Sequence, residues 1–335
     1  MTLSLSLLTK VKNKLGSAYP RIEETQFTLF LAKELANVLC ALKNKPQLST
    51  AIADFSLLGI AEALGDCGFV FHDPAHAYFG GDPKDGLHPF NPLSDLEKYP
   101  FDVIFSKDQT LMVKGVTVIN LPHFVSCVRR AYKSIKNRNL NTCLHVQKLA
   151  ILAAVTYLSP FEGDMIEVGS YQCGTTIFLA RLMEILKKPS RIYALDMFGG
   201  MPASTEPDRV DAIFYDEGMF LDNQLPLVRK RIRQERVEKR IHLIQGDVEK
   251  TLPQLYAKNI QAPLMFLDTD QYKGTKAGLN AVSPFCTKVI VVDDTELFGV
   301  NLAIQEFLEK EPSFCRKNLS INFDLLFTAP MSIDS

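Results

Sequence analysis

The sequence predicts an α/β protein in which a doubly wound, mainly parallel sheet follows a mainly helical N-terminal region. Two observations indicate this fold class. From Gly163 onwards, five short apolar runs alternate with segments of helical periodicity, and most of these runs end at an acidic residue. Short buried strands separated by helices are typical of a parallel sheet that is covered by helices on both faces.

The N-terminal half is expected to be mainly helical with an irregular insert. Apolar residues at helical spacing predict helices at 26–42, 51–64, 122–136 and 145–158. A stretch rich in Gly, Pro and Asp predicts a loop at 72–92, and β-branched residues predict strands at 102–105 and 111–119. We expect residues 1–150 to form a lid, a substrate-binding region or an oligomerisation region, and residues 151–335 to form the ligand-binding domain.

The C-terminal half alternates between strands and helices. Strands are predicted at 165–168, 192–195, 241–244, 264–267 and 289–292, with a strand-like tail at 321–328. Helices are predicted near 175–186, 225–237, 249–257, 276–281 and 302–309.

The loop that follows the first of these strands is the most informative segment. Gly169 and Gly174 allow a ligand to approach the backbone closely, and the helix that begins near Thr175 offers unpaired N–H groups. A phosphate-binding P-loop needs a lysine directly after the second glycine, where this chain has Thr175 and Thr176. The spacing Gly-x-Gly-x-x-Gly of dinucleotide-binding folds is also absent.

An acidic residue leads this loop and another ends the next strand. Glu167 suits a ligand that carries positive charge and no pyrophosphate, and Asp196 is placed to accept hydrogen bonds from two ribose hydroxyls. S-adenosylmethionine is such a ligand. The loop alone also fits a purely structural turn between strand and helix, so the prediction rests on the loop and Asp196 together.

Acidic residues also follow the remaining strands of the predicted sheet. Asp247 follows the third strand, where it could reach an adenine amino group together with Gln245. Asp268, Asp293 and Asp294 follow the fourth and fifth strands with no obvious basic partner, and carboxylates gathered at one edge repel one another. A hard divalent cation, Mg²⁺, would resolve that repulsion. The alternative is that single acids cap helices or pair with two nearby lysines, Lys273 and Lys276.

Composition excludes several classes of partner. A net charge of −1 argues against nucleic acid or an acidic membrane as a partner, and the basic run at 229–240 is interrupted by Glu235 and Glu238. Seven scattered cysteines without a C-x-x-C pair indicate reduced thiols in a cytoplasmic protein. No stretch is long enough to cross a bilayer, and the N-terminus has no recognisable signal peptide. The expected partner is a small hydroxylated molecule, and a homo-oligomer is left open.

Five motifs, in order between residues 162 and 307, resemble those of the macrocin-type O-methyltransferases of tylosin and mycinamicin biosynthesis. They are EGDMIEVGSYQCGTT, DMFGGMP from Asp196, the G-x4-TLP stretch from Gly246, DTDQYKGT from Asp268, and the acid pair after the fifth strand. The resemblance implies a class I methyltransferase (Rossmann-like) fold, S-adenosylmethionine as the methyl donor, and Mg²⁺ held by Asp268, Asp293 and Asp294. It also implies methylation of a hydroxyl group, which in that family belongs to a macrolide-linked sugar.

The resemblance completes the set of candidate site residues. Asp268 is assigned to metal-assisted activation of the substrate hydroxyl. The residues assigned to the donor site are Glu167, Gly169, Ser170, Tyr171, Gly174, Thr175, Thr176, Asp196, Met197, Phe198, Gly246 and Asp247.

Three departures from the family pattern limit this assignment. The histidine that family members place between the second and third motifs is absent from residues 202–240. The resemblance implies that this histidine is the general base, so its absence leaves the base unassigned. The candidates are Asp211, Asp216, Glu217, Asp222, an N-terminal histidine, and a metal-polarised hydroxyl without a dedicated base. About two dozen residues follow the last helix, so the sheet is expected to end one strand short or to be completed by N-terminal residues. Cys173 stands where the family has a glycine.

The leading hypothesis is an S-adenosylmethionine- and Mg²⁺-dependent O-methyltransferase that acts on a sugar- or polyketide-like natural product. The alternative is a catalytically inactive adenosyl-binding scaffold protein of the same fold, which the absent histidine favours and the retained acids disfavour.

Overall fold

The computed structural model describes residues 26–43, 50–52, 68–73, 77–81, 88–90, 103–106, 117–136, 144–159, 162–320 and 322–328. The chain is divided into two compact units, and the boundary lies between Ser126 and Cys127. The division of roles between residues 1–150 and 151–335 stays a prediction. Within the described residues, no helix is both long enough and apolar enough to cross a membrane.

The first unit contains a mixed sheet of six short strands. Its elements are α1 (Gln26–Leu42), β1 (Thr50–Ile52), β2 (Gly68–Asp73), β3 (Ala77–Gly81), β4 (His88–Phe90), β5 (Val103–Ser106) and β6 (Thr117–Asn120). The strand order is β4-β3-β2-β1-β5-β6. β1 runs parallel to β2 and β5, β5 runs parallel to β6, and β3 runs antiparallel to β2 and β4.

Helices at Gln26–Leu42, Leu121–Lys136 and Val146–Leu158 confirm three of the helices predicted for the N-terminal region, and the sheet corrects two other expectations. Residues 50–52 pair with strands more than fifteen positions away, where local spacing predicted a helix at 51–64, and residues 53–64 lie outside the described part. The segment at 72–92, predicted to be a loop, contributes to three strands. Local periodicity does not report pairing between residues that are distant in sequence, and such pairing overrides weak local preferences.

The second unit carries a seven-stranded sheet and its helices. The chain enters it through α2 (Leu121–Lys136). The elements that follow are α3 (Val146–Leu158), β7 (Met165–Val168), α4 (Gly174–Ile185), β8 (Ile192–Asp196), a 3-10 turn (Pro207–Val210), α5 (Leu225–Glu235), β9 (Ile241–Gln245), α6 (Val248–Tyr256), β10 (Leu264–Leu267), α7 (Tyr272–Asn280), β11 (Val289–Asp293), α8 (Phe298–Lys310), β12 (Phe314–Ser320) and β13 (Phe323–Thr328).

The strand order of this sheet is β12-β13-β11-β10-β7-β8-β9. The strands β7 to β11 run parallel to one another, and β13 runs antiparallel to β11 and β12. This order confirms the class I methyltransferase type of sheet. The chain reverses direction across the sheet between β7 and β10, and ligands of open α/β sheets bind in the crevice at such a switch point.

The closing hairpin corrects the expectation that the sheet ends one strand short. β12 and β13 pair along their length and complete the edge beyond β11, so no N-terminal residue is needed there. A tight connection through Asn322, whose φ is 60°, allows the hairpin to fit into the few residues that remain.

Burial explains why the central strands form where the sequence predicts them. All four residues of β7 and all four of β10 are buried. Two residues of each strand, Ile166 and Val168 of β7 and Met265 and Leu267 of β10, share one core with apolar residues of α6, α7 and α8. α3 is apolar nearly all round, with nine of its 13 residues buried, as expected of an internal helix. Five cysteines of the described residues carry free thiols: Cys40, Cys127, Cys173, Cys286 and Cys315.

Candidate active site

A cleft of about 330 Å³ opens at the carboxyl ends of the parallel strands, beside the switch point between β7 and β10. Gly169 from the end of β7 and Asp268 from the end of β10 meet at its floor. The cleft has the size of a pocket for a small ligand or cofactor. The fold therefore brings together the loop and the acids that the sequence analysis assigned to one edge of the sheet.

The floor of the cleft requires a glycine at position 169. Gly169 has a φ of +83°, and a Cβ atom built on it would lie 1.8 Å from the carbonyl oxygen of Asp268. The loop then turns through Tyr171 and Cys173, both with positive φ values of 46° and 61°. Cys173 therefore adopts the left-handed backbone that favours the glycine of the family pattern, with its side chain fully buried.

Asp196, at the end of β8, is held by three donors. Its Oδ2 accepts from the backbone N–H of Tyr171 at 2.8 Å, and its Oδ1 accepts from the N–H of Phe198 and the side-chain amide of Asn223, both at 2.7 Å. Burial raises the pKa of Asp196, and these hydrogen bonds oppose the shift. The carboxylate lines the cleft with capacity left on Oδ2, which suits a ribose hydroxyl.

The predicted donor-site residues fall into two groups. Five of them line the cleft: Gly169, Tyr171, Asp196, Met197 and Asp247. The others lie in the loop and strand ends around it without lining it: Glu167, Ser170, Gly174, Thr175, Thr176, Phe198 and Gly246. Their contact with the cofactor stays a prediction.

Glu167 lies buried at the end of β7, with 1% of its surface exposed. Burial raises its pKa to about 8, and the charge of Asp196 adds to the shift. Asp247 has a second role besides lining the cleft, since its carboxylate caps α6 by accepting from the N–H of Glu249 at 3.0 Å. The sequence left helix capping open as the alternative role of such acids. Asp247 has both roles, because it caps α6 and also lines the cleft.

Four aspartates, which we call the acidic edge, line the opposite side of the cleft at the ends of β10 and β11: Asp268, Asp270, Asp293 and Asp294. Burial raises the pKa of Asp268 well above its usual range, and the charge of Asp293 raises it further. Burial and the charge of Asp294 raise the pKa of Asp293 to about 7. Burial raises the pKa of Asp270, and a hydrogen bond with Asp294 adds to that shift.

Lys148 is the residue that the sequence analysis missed. Its Nζ donates to Oδ1 of Asp293 and, at 3.0 Å, to Oδ1 of Asp294. Burial would lower the pKa of Lys148, but the charges of both aspartates outweigh burial and raise it above its usual range. The premise that these acids have no basic partner is therefore wrong. The proposed alternative partners pair elsewhere, Lys273 with Glu249 at 2.6 Å and Lys276 with Glu306 at 2.7 Å.

A sequence signal for Lys148 did exist. It is the only charged residue of α3, an otherwise apolar helix of 13 residues. A lysine in the first turn of a helix opposes the helix dipole, and burying its charge without a partner costs free energy. Such a lysine therefore needs an acidic partner from another element.

The apolar wall of the cleft comes from the segment between β8 and α5, residues 197–224. Met201, Pro202, Tyr215 and Phe220 line it. The side-chain amide of Gln271 donates to the carbonyl oxygens of Pro202 and Tyr215, both at 3.0 Å, and so fixes this segment to the loop after β10.

The candidates for the general base within this segment point to other partners. Asp211 accepts from the N–H of Phe298 at 2.7 Å, and Asp222 accepts from the hydroxyl of Tyr171 at 2.7 Å. Asp216 accepts from the N–H groups of Ser204 and Glu217 at 3.0 Å and 2.8 Å. None of the four candidates is among the described residues that line the cleft, whereas the acidic edge is.

The residues of the cleft fit an adenosyl donor and do not fit a metal as arranged. The carboxylate of Asp196 and the part of the cleft beside it, which Gly169 lines, suit a nucleoside. The carboxylates of the acidic edge are ligands of the kind that Mg²⁺ prefers. However, two of the three predicted ligands hold Lys148, and the described residues contain no group of three or more His, Cys, Asp or Glu arranged to hold a metal ion.

Three of the solved structures that are similar to this chain are methyltransferases. A calicheamicin methyltransferase, CalS11, is 22% identical over 60% of this chain and 91% of its own, with a TM-score of 0.48. The O-methyltransferase NovP is 15% identical over 61% of this chain and 80% of its own, with a TM-score of 0.42. An O-methyltransferase from Bacillus cereus, solved in complex with SAH, is 16% identical over 61% and 90% of the two chains, with a TM-score of 0.40. Among curated protein sequences, none matches significantly.

The family assignment comes from the sequence of the second unit. The model of the macrocin O-methyltransferase (TylF) family matches residues 144–313, a range that begins just before α3 and ends just after α8. This range includes the loop at Gly169, Asp196, Lys148 and the whole acidic edge. Since the match covers half of the chain, the protein belongs to the macrocin O-methyltransferase family.

Proposed function

We propose that this protein transfers the methyl group of S-adenosylmethionine to a hydroxyl group of a sugar- or polyketide-like natural product. The observation that carries the proposal is a single cleft that has Asp196 and the Gly169 loop on one side and the acidic edge on the other. Membership of the family supports O-methylation as the reaction. Two sites with these different chemistries in one cleft are what a transfer between two bound molecules needs.

Each side of the cleft has a separate task in this proposal. Asp196 holds the ribose of the donor, and Gly169 lines the cleft beside it. When bound, S-adenosylmethionine supplies an electrophilic methyl group on a sulfonium ion. The acceptor oxygen forms the new C–O bond while the C–S bond breaks, its electron pair stays on sulfur, and the hydroxyl proton passes to a carboxylate of the acidic edge.

The wall formed by residues 197–224 favours an acceptor with an apolar body. Tyr215 and Phe220 pack against each other with ring centroids 5.6 Å apart, and Tyr171 meets Phe220 at 5.3 Å. These rings offer a broad apolar surface opposite the carboxylates. An acceptor that joins an apolar body to a hydroxylated group fits both surfaces. The place of Asp268 as the residue that activates the hydroxyl stays part of this proposal.

Mg²⁺ at Asp268, Asp293 and Asp294 stays a prediction, and no step of the reaction is derived through it. The oxygen ligands are of the right kind, but Lys148 holds two of them. A location in the cytoplasm and a homo-oligomeric state also stay predictions. The free thiols support the first of these because reduced cysteines are usual in that compartment.

Calorimetry with S-adenosylhomocysteine tests the donor site. Wild-type protein should bind this product, and Asp196→Ala should weaken binding by at least about a hundredfold, since it removes a buried charged acceptor. Asp164→Ala is the matched control, because Asp164 lies at the opposite ends of the strands, where it pairs with Arg191 at 3.0 Å. Equal affinity in Asp196→Ala and wild type would refute the assigned pocket.

Methyl transfer separates the enzyme from the alternative of an inactive adenosyl-binding scaffold. Wild-type protein is incubated with S-adenosylmethionine and a panel of hydroxylated glycosides and polyketides, and methylated products are detected by mass spectrometry. A methylated product supports the enzyme. Binding of S-adenosylhomocysteine without transfer to any member of a broad panel supports the scaffold.

A further inference from the structure

We infer that Lys148 is the cation of the acidic edge, and that it positions Asp293 and Asp294 for methyl transfer without a divalent metal. The inference rests on the proposed function, because it assigns a role within the same cleft. It concerns a residue of α3, which the motifs of the sequence analysis did not include. Lys148 acts through the two aspartates and is therefore a positioning residue.

The geometry places the ammonium group of Lys148 between two acids and an aromatic ring. It donates to Oδ1 of Asp293 and to Oδ1 of Asp294, and the N–H of Asp294 also donates to Oδ1 of Asp293 at 2.7 Å. The ring centroid of Phe323, which is fully buried, lies 5.7 Å from Nζ. The ammonium group thus joins the two carboxylates into one fixed unit at the end of β11.

The position of Lys148 in α3 indicates that the helix itself does not benefit from it. Lys148 is the third residue of α3, where a positive charge opposes the helix dipole. Its side chain is 19% exposed, and the side chain of Asp293 is 3% exposed. A charge in this place is tolerated because it neutralises the acids at the end of β11.

A divalent ion and Lys148 compete for the same oxygen atoms. Mg²⁺ binds oxygen ligands at about 2.0–2.1 Å and needs direct access to their lone pairs. Binding to Asp293 and Asp294 would require the ammonium group to leave Oδ1 of both residues, and would then place a double positive charge beside it. Lys148 also lines the cleft, so the cation already faces the side on which the acceptor binds.

Binding of Mn²⁺, followed by electron paramagnetic resonance, tests the competition without any need for an acceptor. Wild-type protein should bind Mn²⁺ weakly, and Lys148→Met should bind it at least about tenfold more tightly, because both aspartates lose their bound cation. Lys276→Met is the matched control, since that lysine pairs with Glu306 and does not line the cleft. Its Mn²⁺ affinity should equal that of wild type. Tight Mn²⁺ binding by the wild type would overturn the inference.

Transfer assays after treatment with EDTA test the role in the reaction. Wild-type and Lys276→Met proteins should keep their activity. Lys148→Met should lose at least about a hundredfold in kcat with its affinity for S-adenosylhomocysteine within about twofold, and Lys148→Ala, which leaves space for an added amine, should regain part of its lost activity with ethylammonium. Lys148→Arg, which keeps the charge, should lose less. Full dependence of the wild type on Mg²⁺, or full activity of Lys148→Met without metal, would overturn the inference.

The two sets of results distinguish this inference from the proposed function. If S-adenosylhomocysteine does not bind to the wild type, the proposed function fails, while the Mn²⁺ titration still reports whether Lys148 holds the acids. If S-adenosylhomocysteine binds and transfer requires Mg²⁺, the proposed function stands and the role of Lys148 fails.

Discussion

Gly169 lies where the end of β7 touches the backbone of Asp268, and its replacement by alanine should force the two strands apart. The new Cβ atom would lie 1.8 Å from the carbonyl oxygen of Asp268 and 2.6 Å from the carbonyl carbon. Cβ contacts shorter than 3.0 Å essentially do not occur, so the backbones must separate by about 1.2 Å. Neither neighbour is a flexible side chain that could move aside.

The cost follows from the hydrogen bonds that such a shift disturbs. The backbone N–H of Gly169 donates to the carbonyl oxygen of Leu195, and that of Asp268 donates to the carbonyl oxygen of Val168, both at 2.9 Å. Each of these bonds costs about 1–3 kcal/mol if its buried groups are left unpaired. The positive φ adds about 1 kcal/mol for any residue with a Cβ atom. The free energy of unfolding should therefore fall by about 3–7 kcal/mol, a large share of the total of about 5–15 kcal/mol that is typical of proteins.

Gly218→Ala is the matched control for this prediction. Gly218 has a φ of +80°, nearly that of Gly169, but a Cβ atom there would meet nothing within 4 Å. It therefore carries the backbone cost of about 1 kcal/mol without the clash. Unfolding in urea and calorimetry with S-adenosylhomocysteine are the assays. The reasoning is refuted if the two variants lose equal stability, or if Gly169→Ala binds S-adenosylhomocysteine as tightly as the wild type.

Two further predictions concern buried carboxyl groups, those of Glu167 and Asp324. The pKa of Glu167 is raised by burial to about 8, so the folded protein keeps a proton that the unfolded chain loses above its ordinary pKa of 4.5. The contribution of this group to stability is therefore complete below pH 4.5 and is lost as the pH rises to about 8, by up to about 1.4 kcal/mol per pH unit. Glu167→Gln should remove this slope of the free energy of unfolding against pH, measured by urea unfolding from pH 5 to 8. Glu238→Gln, at an exposed position, is the control and should keep the slope. An unchanged slope in Glu167→Gln would contradict the raised pKa of Glu167. Arg316→Met should cost about 3 kcal/mol, because it removes the guanidinium donor of Asp324, which is 1% exposed, and a loss below about 1 kcal/mol in thermal unfolding would show that the hairpin does not depend on this pair.

The central sheet could be predicted from the sequence because its strands are short, apolar and buried on both faces. β7 and β10 begin and end at the predicted residues, Met165–Val168 and Leu264–Leu267. In such strands, local composition and tertiary burial favour the same structure. Because the glycines and acids follow the ends of parallel strands, the sequence also predicts that the loop and the acidic edge lie at the same edge of the sheet.

The sheet of the first unit and the closing hairpin could not be predicted in the same way. β1 is three residues long, and its pairing with β5 joins residues about fifty positions apart. No local pattern records such a pairing. The strand-like tail predicted at 321–328 contains β13, but β12 was missed, since the two strands and a very short turn at Asn322 fit into fewer residues than the usual connection requires.

The sequence signals that Lys148 needs an acidic partner, but it could not identify that partner, because Asp293 lies 145 residues further along the chain. The acids at the end of β11 could be assigned to one edge by the topology of a parallel sheet, but the sequence did not place α3 beside that edge. Periodicity predicts that α3 is a helix, and its apolar composition predicts that it is buried. Neither property reports which strand end its single charged residue reaches.

The charge of the cleft bears on which molecules can bind there together. Among the described residues that line it, seven are acidic and two, Lys148 and Lys273, are basic. An excess of carboxylates attracts a sulfonium ion and repels phosphates and carboxylates, so a neutral hydroxylated acceptor is favoured over an anionic one. The same excess needs compensation in the folded protein, and burial together with the neighbouring carboxylates raises the pKa values of Asp268 and Asp270. Lys148 compensates part of this charge, because its ammonium group donates to both Asp293 and Asp294.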